Sequence, residues 1–165
     1  MRKCLYMICP TDHLESVINS RFEGHNYFYT TLGNNVKLDK DTIGQIALLL
    51  ETNSIREITF ILSIDNCILL DALIKQHFRN IGGLDDFYLY LQERKKHMFN
   101  SWQRHNHYII LFSYYLNHKI KELKTGLRGV IPTQPSINGK LFSKDYNKFS
   151  PIHSDLVCLH SSNLN

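Results

Sequence analysis

The sequence predicts a three-layer α/β domain with a mainly parallel sheet, and three observations carry that prediction. Through the first half of the chain, short β-branched or aromatic runs alternate with segments of helical periodicity. The run Ile58–Leu62 turns at Ser63–Asn66 and re-emerges as a helix-like segment with Leu69, Leu70 and Leu73, the pattern of a buried strand feeding a helix. After Ile81-Gly82-Gly83 the periodicity becomes helical over a long stretch. Strands separated by helices favour parallel pairing, because parallel neighbours need crossover connections.

The elements follow in order. Cys4–Cys9 reads as strand 1, closed by Pro10, which cannot donate to a sheet ladder. Thr11 to Glu15 is expected to cap and open a short helix containing Val17 and Ile18. Tyr27–Thr31, rich in aromatic and β-branched residues, is strand 2 and ends at Gly33-Asn34-Asn35. Asp41-Thr42 starts a helix whose Ile43, Ile46, Ala47 and Leu50 share one stripe. Strand 3 is Ile58–Leu62, and its helix runs from about Asn66 to Phe78. Leu84, Phe87, Tyr88 and Leu91 form a further helical stripe, and Ile109, Phe112, Leu116, Ile120 and Leu123 a longer one. Gly126 is expected to stop that helix. Leu127–Ile131 suits a fourth strand, and Ile137–Phe142 a turn followed by a short edge strand. Residues 1–165 form a single domain, with a polar, flexible tail after about 151.

Composition excludes several classes. At 165 residues the chain can bury a full core, and 43% hydrophobic with 21% charged residues is ordinary for a globular protein. The longest uncharged apolar stretch, Tyr108–Leu116, is far short of the roughly 20 residues that span a bilayer. Met1-Arg2-Lys3 runs straight into a strand without a signal-peptide pattern, so a cytoplasmic location is expected. The charge of +4 is dispersed apart from Arg94-Lys95-Lys96-His97, which reads as a solvated helix face. No nucleic-acid or membrane partner is expected. Cys4, Cys9, Cys67 and Cys158 show no Cys-x-x-Cys spacing, and free thiols are expected. Nine histidines include no His-Glu-x-x-His pattern.

Chemistry in an open α/β sheet belongs at the carboxyl ends of its strands. The order met there, Met7-Ile8-Cys9, then Thr30-Thr31-Leu32-Gly33-Asn34, a helix over Thr42 to Leu50, and Ile58–Leu73 with Asp65, resembles the β-class carbonic anhydrases. Residues 4–75 carry the resemblance; the later part follows it by element order only. The resemblance implies that Cys9 stands at the first zinc thiolate, Ser63 where the ligand His should be, and Asn66 where the second ligand Cys should be. Cys67 falls on the following Gly position. Thr11 and His13 occupy the places of the Asp–Arg pair that orients the metal-bound water, and Asp12 serves as that Asp only if the loop slips by one residue.

Zinc prefers sulfur, imidazole or carboxylate ligands, so neutral Ser and Asn are poor replacements. Without the metal nothing evident lowers the pKa of water from about 15.7 toward 7, the step on which hydration of carbon dioxide depends. No cofactor is expected, with zinc entering only through a rebuilt site of Cys9, His13 and Cys67. Asp12, His13 and Asp65 are the candidate catalytic groups of such a site. Two readings of the same residues stand beside it. Cys9 could act as a thiol nucleophile with His13 as base. Alternatively, Cys9 and Cys67 are small buried hydrophobes while Asp12 and His13 cap the loop.

The function these observations favour is a carbonic-anhydrase-like protein that has lost its zinc site and works as a binding or interaction module. The alternatives are a zinc-dependent lyase or hydrolase with a rebuilt site, and a Cys9 thiol enzyme. The family usually dimerises, and helices commonly precede strand 1. Only three residues do so here, so a homodimer is expected through other surfaces. The aromatic helices, with Tyr88, Tyr90, Phe99, Trp102, Tyr108, Phe112, Tyr114 and Tyr115, are mostly core, and any exposed part offers a protein-partner surface.

Overall fold

A computed structural model describes residues 1–99 and 107–152, and the expected tail beyond 152, with Cys158, lies outside the described residues. The same holds for Trp102. Strands β1 (Lys3–Ile8), β2 (His25–Thr30) and β3 (Glu57–Ser63) alternate with helices α1 (Glu15–Arg21), α2 (Lys40–Asn53) and α3 (Cys67–Leu73). Helices α4 (Asp85–Phe99) and α5 (His107–Leu127) follow, and β4 (Ser136–Ser143) and β5 (Lys148–Pro151) close the chain. The sheet order is β2-β1-β3-β4-β5. Pairing is parallel from β2 through β4, and β5 is antiparallel to β4.

Alternation along β1 explains the layers. Leu5, Met7 and Cys9 face one side, with Ile58, Phe60 and Leu62 of β3, and they meet the apolar stripes of α2, α3, α4 and α5. Tyr6 and Ile8 face the other side with Ile61 and Phe142, and the short α1 covers them with Leu14 and Ile18. The chain passes from β1 outward to β2, then crosses back to β3 on the other flank. The order therefore reverses between β1 and β3, and a crevice is expected beyond their carboxyl ends.

Three expectations are corrected. Leu127–Ile131 is not a strand: Leu127 ends α5, and residues 128 and 131 make only an isolated bridge. The helix stop expected at Gly126 holds to within a residue, since α5 ends at Leu127, and Gly126 also lets α2 approach: a Cβ on it would lie 2.5 Å from Ile43 Cδ1. Ile137–Phe142 is neither turn nor edge but the core of β4, inside the sheet between β3 and β5. The helix expected to reach Phe78 ends at Leu73, because Asp71 accepts hydrogen bonds from the amides of His77 (3.1 Å) and Phe78 (3.0 Å) and folds the chain back.

On α5 the buried face is set by Leu111, Phe112, Tyr115, Leu116, Ile120 and Leu123, while Ile109 of the expected stripe is 38% exposed. Of the aromatic residues, Phe87, Tyr88, Phe112 and Tyr115 are core. The basic run on α4 is partly used in packing. Arg94 lies over the rings of Tyr90 and Tyr114, both at 5.4 Å, and the Lys95 ammonium donates to the Leu73 carbonyl. Among the described residues no helix is long and apolar enough to cross a membrane.

Candidate functional site

Beyond Ile8 the chain makes a single 3-10 turn, Pro10–Asp12, in place of the capped helix start expected from Thr11. Pro10 suits the first position of that turn because its fixed φ is already helical and its missing N–H has no role there. The Asp12 amide donates to the Cys9 carbonyl at 3.1 Å. His13 then adopts a left-handed conformation (φ 53°), which turns its own side chain outward and leaves Asp12 pointing in. Local geometry, more than spacing, decides which of the neighbouring residues enters the crevice.

Asp12 is 3% exposed. One carboxylate oxygen accepts the Ser63 backbone N–H at 2.9 Å, and the other accepts the Asn66 side-chain amide at 2.8 Å. Ser63 ends β3 and Asn66 is the N-cap of α3, its side-chain oxygen accepting the Leu69 N–H at 2.9 Å. That cap leaves only the amide nitrogen of Asn66 to face Asp12. Both Ser63 and Asn66 are fully buried. Burial pushes the Asp12 carboxyl above the usual carboxylate range. The two hydrogen bonds and the Lys144 ammonium oppose that shift, and Asp65 adds to it.

Cys9 is buried at the same strand ends but belongs to a separate cluster. Its fully buried sulfur accepts the Gly33 N–H at 3.1 Å and lies 3.0 Å from the Thr11 hydroxyl. Gly33 is held in turn: its φ is +63°, and its carbonyl accepts the Tyr115 hydroxyl at 3.0 Å. Any Cβ there would press on Phe87 at 3.0 Å. Asn34 donates to the Ile61 carbonyl at 2.7 Å.

The sequence-derived candidates therefore separate. Asp12 and Cys9 are buried at the strand ends, whereas His13, Asp65 and Cys67 are exposed. Among the described residues no group of three His, Cys, Asp or Glu side chains is placed to hold a metal ion. Sequence reasoning treated Ser63 and Asn66 as failed ligands and missed that they hold Asp12. The available signal was an N-cap residue before the Cys67–Leu73 helix, since a capping Asn has its oxygen committed and its amide free.

The zinc ion that the fold implies does not fit this donor set. A cation needs lone pairs converging on it. Here the Ser63 amide and the Asn66 amide nitrogen aim their hydrogens at Asp12, and the Gly33 amide aims its hydrogen at Cys9. A metal drawing on Asp12 would strand two buried donors, at about 1–3 kcal/mol each. The polarity around Asp12 is that of an anion holder.

No family model matches the chain, and no curated protein matches it in sequence. Solved structures do match in shape. The β-carbonic anhydrase CafD of the filamentous fungus Aspergillus fumigatus superposes with a TM-score of 0.74 at 14% identity, over 93% of this chain and 90% of that one. CafA of the same fungus gives 0.71 at 13% identity, over 93% and 76%. One of two tetrameric β-carbonic anhydrases of the ascomycete Sordaria macrospora gives 0.66 at 15% identity, over 95% and 81%. The chain thus has the β-carbonic anhydrase fold.

Proposed function

We propose that this chain is a carbonic-anhydrase-like protein without a catalytic zinc site, a single cytoplasmic domain that works as a non-catalytic binding or interaction module. One observation carries the reading: Asp12 is buried with one donor on each oxygen, from Ser63 and Asn66, where the fold would place two metal ligands. Loss of metal removes the means of making hydroxide at neutral pH.

The thiol-enzyme alternative needs a sulfur that a substrate can reach. Cys9 is 0% exposed and packed beneath Thr11 and Gly33, which disfavours it. Self-association belongs to the same proposal, supported by the tetrameric state of the S. macrospora enzymes. The connection between α3 and α4 offers exposed apolar side chains for such a contact, Ile74, Phe78 and Ile81.

Elemental analysis of untagged protein, purified without chelators and then incubated with zinc, tests the proposal together with an assay of carbon dioxide hydration. The expected result is negligible metal and no hydration above the protein-free rate. Near one zinc per chain with measurable hydration would overturn it.

A further inference from the structure

We infer that Asp12 is the tethered occupant of a small-carboxylate site, one that the Ser63 amide and the Asn66 side chain form independently of it. The inference goes beyond the loss of zinc, since it names what the crevice is built to hold.

Two donors meet one carboxylate, one on each oxygen, at 2.9 and 2.8 Å. Such charge-assisted bonds are the strong kind, and all three partners are shielded from water. Each donor is fixed by contacts that do not involve Asp12. Ser63 sits opposite Phe142 in the β3–β4 ladder, and the next amide, of Ile64, donates to the Phe142 carbonyl at 2.9 Å. The Asn66 amide is oriented by the Leu69 N–H on its oxygen. The strap that carries Asp12 is likewise anchored elsewhere, through Cys9 and Gly33. Removing the carboxylate alone leaves two aimed donors and a gap the size of the missing group. A small planar monocarboxylate such as formate has the charge, the paired oxygens and the size to fill it. The Lys144 ammonium favours that anion and Asp65 opposes it. In the intact chain the site is closed to outside ligands, because the tethered Asp12 already occupies both donors.

The experiment is the thermal midpoint of Asp12→Ala in sodium formate against sodium chloride at equal ionic strength. In chloride the variant should melt several degrees below wild type. In formate its midpoint should rise saturably over the millimolar range, as binding to the native state alone requires. Wild type, already occupied, and Asp12→Asn, whose amide fills the gap, should not respond. Adding Asn66→Ala to Asp12→Ala should abolish the response. If Asp12→Ala does not fold in chloride, recovery on refolding in formate is the expected result. Equal midpoints, or equal failure to refold, in the two salts would overturn the inference. Zinc uptake by wild type would defeat the proposed function and leave the formate response of Asp12→Ala as a separate result.

Discussion

The two ends of the β1–β3 pair are joined by the same device in opposite settings. At the amino end the Glu57 carboxylate accepts Arg2 Nε at 2.8 Å and Nη2 at 2.7 Å. At the carboxyl end the Asp12 carboxylate accepts one N–H from β3 and one from the cap of α3. The first pair is charged on both sides and open to water, with side chains 40% and 26% exposed. The second has a single charge, neutral donors and almost no exposure. Geometry is equal, and environment sets the energy. Water can replace the partners of Glu57, whereas nothing replaces those of Asp12. A buried carboxylate with two aimed donors is therefore the stronger cross-link, although it holds no ion pair.

The largest expected effect is at Asp12. Asp12→Ala strands the Ser63 and Asn66 donors and should cost about 2–4 kcal/mol of stability in chloride buffer. Relief of burying a charge offsets part of the loss, which keeps the figure below the sum of two full desolvation penalties. Chemical denaturation monitored by far-ultraviolet circular dichroism reads it. A loss under about 0.5 kcal/mol would make the carboxyl-end link no stronger than a surface contact and would erase the contrast between the two ends.

That contrast was only partly legible in the sequence. The framework was: β1, β2, β3 and the helices between them follow from runs of Tyr, Phe and Ile and from the Ile43, Ile46, Ala47, Leu50 stripe, patterns that burial enforces directly. The later half misled where a residue's signal depends on a neighbour from another element. Asn138-Gly139 looks like a turn, yet Gly139 lies within β4, where a Cβ would meet Ile152 at 2.6 Å and Ile120 at 3.1 Å. The site failed for a similar reason. The family resemblance puts Thr11 and His13 at the site and Asp12 one residue out of register. A 3-10 turn ending in a left-handed His13 rotates Asp12 inward, and no periodicity reports such a turn. Cys67, read as a ligand candidate from its position, opens α3 with its side chain exposed.

The same contrast has a pH signature of opposite sign at the two ends. Burial raises the Asp12 carboxyl, so the native state binds its proton more tightly than the unfolded chain does. Its contribution to stability is fully present below the unfolded carboxylate range and is lost as pH rises through the raised native value. Arg2 lowers the Glu57 carboxyl, so its contribution is present above the unfolded range and is lost as pH falls through the native value. Stability measured across the acid range should therefore lose its falling component in Asp12→Asn. In Glu57→Gln it should lose part of its acid-side drop. Parallel curves for wild type and Asp12→Asn would show that the Ser63 and Asn66 bonds cancel the burial of Asp12, and the two ends would then differ only in exposure.

The smallest effect is expected at Arg2. Arg2→Ala removes a two-pronged link, but both side chains remain in contact with water and Glu57 keeps a weak bond from Asn138 at 3.4 Å. Exposed ion pairs of this kind contribute about 0–1 kcal/mol, and the paired geometry favours the upper part of that range. The contribution should shrink further when salt is raised toward 1 M, where the Debye length is about 3 Å. Asp12→Ala, measured beside it in the same chloride series, should change little, because the carboxylate it removes is held by neutral dipoles and by no ion pair. Equal salt sensitivity in the two variants would mean that water reaches the carboxyl end as well, and that Asp12 is held by an accessible charge such as Lys144 more than by Ser63 and Asn66.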